Sequence, residues 1–159
     1  MLPLFALCLT ALATTPALSP APASFGPPWI SIELPANPWN REAPNAFLLV
    51  RALHHSTPAD SRVTGVAEGR VNGERRSLKL TLRPTGQTGV YYATNQWGEA
   101  GEWVLLFTVE EGDNSVAQAV VRVSHGEVVS VKVPTTTNRH GDVIPRRLDA
   151  QEIEAALRS

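Results

Sequence analysis

Gly101-Glu102-Trp103-Val104-Leu105-Leu106-Phe107-Thr108-Val109 is the stretch whose reading decides the fold. Trp103, Leu105, Phe107 and Val109 recur with period two, which places them on one face of an extended strand, and Val104 and Leu106 make its other face apolar as well.

The same periodicity extends outward in short runs. Ile30, Ile32 and Leu34 alternate with Ser31 and Glu33 until Pro35-Ala36-Asn37-Pro38 ends the run. Ala46 to Leu53 reads as a buried strand, and Arg62 to Val71 runs into Asn72-Gly73, a strong two-residue hairpin signal. Leu78, Leu80 and Leu82 then alternate with Ser77, Lys79 and Thr81, and Val90 to Thr94 follows a Gly-rich turn. Val116 to Val123 and Val128 to Val133 flank Ser124-His125-Gly126-Glu127 and form a terminal hairpin. About eight strands at short intervals, with no helical pattern between them, predict an all-β domain: an immunoglobulin-like antiparallel β-sandwich over residues 24–134.

The ends of the chain read differently. Met1 to Leu12 is almost wholly apolar and uncharged, and small residues and prolines follow it. This is the pattern of a secretory leader, too short for a bilayer-spanning helix. Residues 1–23 are therefore expected to be a signal peptide cut after Ala23, with Ala17 as the alternative. The chain is then secreted or periplasmic, with no membrane span once the leader is removed. Cys8, the single cysteine, leaves with the leader, so the mature domain is expected to have neither disulfides nor thiol chemistry. Beyond Pro134 the alternation stops, and residues 135–159 read as a flexible polar tail. Asp149 and Glu152 resemble a capping box, and Ile153, Ala156 and Leu157 share a helical face, which predicts a short helix over 149–158 that either frays or docks.

Composition narrows the function. With 159 residues, 43% hydrophobic, 18% charged and a net charge of −1, the chain fits one globular domain and lacks the basic excess that nucleic-acid binding requires. Arg62 to Arg83 holds six basic and two acidic residues, whereas Glu99 to Asp113 holds five acidic and no basic ones, so the charges either form two patches or pair across strands. Glu110, Glu111 and Asp113 read as loop charge.

Gly89-Val90-Tyr91, Gly101-Glu102-Trp103-Val104-Leu105 and the preceding Leu78-Lys79-Leu80-Thr81-Leu82-Arg83-Pro84 resemble the Gly-x-Tyr and Gly-x-Trp strands of exported bacterial YtkA-like and FixH-like domains, over Ser31 to about Val133. The resemblance implies an immunoglobulin-like sandwich with inward aromatics. Tyr91 also resembles the tyrosine of an immunoglobulin-type corner, whose hydroxyl would tie a crossing loop to its own sheet. FixH-like proteins are associated with assembly of a copper-containing oxidase and carry a membrane helix, a segment with no counterpart here.

Three site classes follow. A metal would fall to His54 and His55, whose side chains can meet only if the strand has ended there; His125 and His140 lie in a turn and the tail, and the mature chain offers neither Met nor Cys for soft ions. For hydrolysis, Ser124-His125 supplies residue names without a nucleophile elbow, so no enzyme and no cofactor is expected. Trp39 in Pro-Trp-Asn and Trp97 in Gln-Trp-Gly occupy loop-like segments, where a tryptophan either anchors a protein or carbohydrate partner or caps the end of the sandwich. The resulting expectation is an exported, non-catalytic binding or accessory module, with a periplasmic copper-binding accessory protein as the alternative.

Overall fold

A computed structural model describes residues 26–112 and 115–158; the expected leader, its two cleavage positions, Cys8 and Asp113 lie outside that range. In chain order the strands are β1 (Pro28–Glu33), β2 (Leu48–His54), β3 (Thr57–Pro58), β4 (Arg62–Val71), β5 (Glu74–Leu80), β6 (Arg83–Pro84), β7 (Val90–Ala93), β8 (Glu102–Glu111), β9 (Ser115–Ser124), β10 (Glu127–Lys132), β11 (Thr135–Thr137) and β12 (Val143–Pro145), followed by helix α1 (Ala150–Ala156). All eight expected strands are present. The pieces that periodicity missed, β3, β6, β11 and β12, are two or three residues long, too short to show it.

Two antiparallel sheets pack face to face. One runs β1-β2-β7-β6, with β3 on the end of β2, and the other runs β10-β9-β8-β4-β5. β1 lies across β8 and β9. The opening stretch behaves as its pattern requires: Trp103, Leu105, Phe107 and Val109 enter the core between the sheets with Ala117, Ala119, Val121 and Val123 of β9 and Ile30, Leu48, Val50 and Ala52 of the opposite sheet. Each large side chain fully buried there contributes about 1.5–3 kcal/mol.

Two-residue turns join three of the hairpins, β2–β3, β4–β5 and β9–β10. His55-Ser56, Asn72-Gly73 and His125-Gly126 all have positive φ at both positions, the twist that suits tight antiparallel connections.

The stretch expected to be a flexible tail is folded. β11 and β12 pair as a small hairpin, and α1 covers the outer face of β8 and β9, where Leu157, 5% exposed, packs with Val104, Leu106 and Val120. The Asp149 side chain accepts from the Glu152 backbone N–H at 2.8 Å, and Glu152 accepts from the Asp149 N–H at 3.0 Å, completing the capping box. Arg146 grips the Glu152 carboxylate at 2.7 and 2.6 Å, and Gln118 of β9 accepts from the Leu148 N–H at 2.8 Å. The physical reason is the second apolar face of β8, which must be covered, and the helix is the segment that covers it.

Candidate functional site

The loop between β1 and β2 holds Trp39, which is 87% exposed. Its backbone is closely tied. The Asn37 side-chain oxygen accepts from the Trp39 N–H at 2.9 Å, and the Asn40 side chain accepts from Glu42 at 3.0 Å. The Asn37 carbonyl also accepts from the Asn40 N–H at 3.1 Å, and that of Asn40 from Ala43 at 3.2 Å. Ala43 is buried against Leu49, Val90 and Tyr92 and pins the loop to the outer face of its sheet. Asn and Asp side chains stabilise such turns by replacing backbone partners. The result is a large aromatic held outward on a fixed support. The sequence marks this segment as a strand-ending loop, but not that the Asn37 and Asn40 side chains hold its turns.

Trp97 has a different place. It is 6% exposed, belongs to the core between the sheets and meets Phe47 edge-on at a 5.0 Å centroid distance. Its indole N–H has no hydrogen-bond partner among the described residues. With Trp103 it closes one end of the sandwich, beneath a cleft of about 370 Å³ also lined by Arg76, Gln96 and Glu99.

His54 ends β2, and His55 starts the turn, so the strand does stop between them and the rings come together, with centroids 4.6 Å apart. His54 Nδ1 lies 2.8 Å from Glu111 Oε2, which links the end of β2 to the end of β8 in the other sheet. Among the described residues, no three His, Cys, Asp or Glu side chains are grouped to hold a metal ion.

Ser124 and His125 do touch: the hydroxyl lies 3.0 Å from His125 Nδ1 and donates to Glu102 Oε1 at 2.7 Å. A triad needs its carboxylate on the far ring nitrogen, orienting the imidazole. Here Glu102 and Nδ1 both face the serine hydroxyl, and the His125 side chain is 78% exposed.

The charge asymmetry resolves into pairs. β4 and β8 are neighbours, which sets Arg62 opposite Glu110 and Arg70 opposite Glu102. The Arg62 guanidinium lies 3.9 Å from Glu110, so the two runs meet across these strands, and Arg147 of the C-terminal segment reaches the same carboxylate at 2.6 Å.

No protein-family model matches the chain, and no curated protein or solved structure is similar to it.

Proposed function

We propose that this chain is an exported, non-catalytic binding module on an immunoglobulin-like sandwich, and that Trp39 anchors its protein or carbohydrate partner. The observation that carries the reading is the exposure of Trp39 on a loop whose backbone is already hydrogen-bonded in place. Tryptophan is among the side chains whose burial dominates binding energy, typically about 2 kcal/mol or more at a hot spot. A pre-formed loop adds to this because association need not order it. Export follows from the apolar, uncharged start of the chain and the small residues after it, with the mature chain beginning at Ser24.

The test is to immobilise wild-type protein and the Trp39→Ala variant, and to compare what each retains from an extract of the producing cell and from an array of glycans. A ligand retained by wild type and lost from Trp39→Ala, with unchanged circular dichroism and Tm, supports the reading. Equal retention by both proteins contradicts it.

A further inference from the structure

β10 is the edge strand of the larger sheet, and its sequence is Glu127-Val128-Val129-Ser130-Val131-Lys132. All six of its residues are exposed, with Val128, Val129 and Val131 at 36%, 55% and 44%. It overhangs the sandwich, since β1, the outermost strand of the facing sheet, lies across β8 and β9. The remaining edges are blunted by other means. β5, at the far side of the same sheet, carries Arg75, Arg76 and Lys79; β6 is two residues ending in a proline; and β1 opens on Pro28 and is half-buried. Among the described residues no strand pairs with its outer edge, and an exposed apolar edge strand is a template for another strand.

We propose that β10 pairs antiparallel with β10 of a second copy of this chain, about a two-fold axis normal to the sheet, with Glu127 of each copy opposite Lys132 of the other. The charges at the strand ends are complementary in this register and repel in a parallel one.

The bulge in β10 makes the register sterically consistent. A two-fold axis normal to the sheet keeps each side chain on its own face, so facing residues must share a face. In a regular strand, positions 127 and 132 would point to opposite faces. The register against β9 shifts between Val128 and Ser130, however. Glu127 and Lys132 therefore pair with Ser124 and Val120 and share the helix-covered face, while Val128 and Val131 pair with Val123 and Val121 and share the core-facing one. Val129, the extra residue, lines a groove with Leu157 on the helix side, the face of Ser130. The pairs Glu127–Lys132, Val128–Val131 and Val129–Ser130 of two copies thus match face to face, and the two overhanging Val128–Val131 pairs cover one another. One strand pair buries far less than a standard interface, so the dimer is weak and forms only at high protein concentration.

Sedimentation equilibrium of the purified protein from about 10 μM to 1 mM tests this, since that range brackets a weak dimer. Wild type is expected to shift reversibly from monomer to dimer. Glu127→Lys and Lys132→Glu each turn two attractions into two repulsions and should weaken the dimer by about tenfold or more. Mixing the two variants restores opposite charges at both positions and should recover the dimer, as should the double variant with itself. Both residues are exposed, so folding is unaffected, and Glu127→Lys is the cleaner probe because Lys132 also lies in the field of Glu152. A wild-type chain that stays monomeric throughout overturns the proposal. So does a dimer that is indifferent to the charge changes, or one that the mixture fails to restore.

Discussion

The Tyr91 hydroxyl donates to the Ser61 carbonyl at 3.2 Å, joining residues thirty positions apart. Tyr91 lies on β7 in one sheet, and Ser61 immediately precedes β4 in the other, so the bond fastens the crossing between sheets to the sheet it leaves. The hydroxyl does tie a crossing loop, but its acceptor lies thirty residues back, not the few residues upstream of an immunoglobulin-type corner. Tyr91→Phe keeps the ring and deletes the donor. It should cost about 0.5–1.5 kcal/mol, the usual net worth of one such bond, read as a lower denaturant midpoint with an unchanged slope.

Gly69 stands directly opposite Trp103 across the β4–β8 ladder. A Cβ at position 69 would fall inside the Trp103 indole, which is itself 5% exposed and has no room to retreat. Gly69→Ala should therefore destabilise the domain by about 1–3 kcal/mol, as overpacking does. The substitution ordinarily favours a strand, so an unchanged or raised Tm would contradict the packing described between these residues.

The strands were legible because one-sided burial writes a period of two into β1 and β4, while burial on both faces writes near-continuous apolar runs into β2, β8 and β9. Burial of individual loop residues was not. Trp39 and Trp97 carry the same local signature, yet one is 87% and the other 6% exposed, because Phe47 and the closing end of the sandwich cover only the second. The valines of β10 also mark a strand, but an apolar strand sequence does not report whether another strand lies across it. The docked helix had a signal in Val104 and Leu106, a second apolar face on β8 that needed a cover. The bond of Leu148 to Gln118, by contrast, depends on topology that no local pattern contains.

The docked helix should respond to acid. Its hydrogen bonds from Arg146 and from the Asp149 N–H hold the Glu152 carboxyl at about 2, below its ordinary 4.5. A carboxyl depressed in the folded state contributes stability above its unfolded value and loses it as pH falls through the folded one. The contribution of Glu152 is thus complete above about pH 4.5 and fades toward pH 2. Thermal melts should show wild type losing more stability than Glu152→Gln across that window.

Removing the helix anchor should cost more than removing its cap. Leu157→Ala empties a position that is 5% exposed against Val104, Leu106 and Val120, and should destabilise by about 2 kcal/mol or more. Asp149→Ala removes the cap and should cost about 1 kcal/mol. Equal, negligible effects in chemical denaturation would mean that the helix is not seated on the sheet.

The central claim, that Trp39 is the contact point for a partner, is tested most directly by site-specific photocrosslinking in the producing cell. A photoreactive aromatic residue would replace Trp39 in one strain and Val143, 62% exposed on β12, in another. The account predicts a discrete adduct on irradiation from position 39 and none from position 143. The same adducts from both positions, or none from position 39, would contradict it.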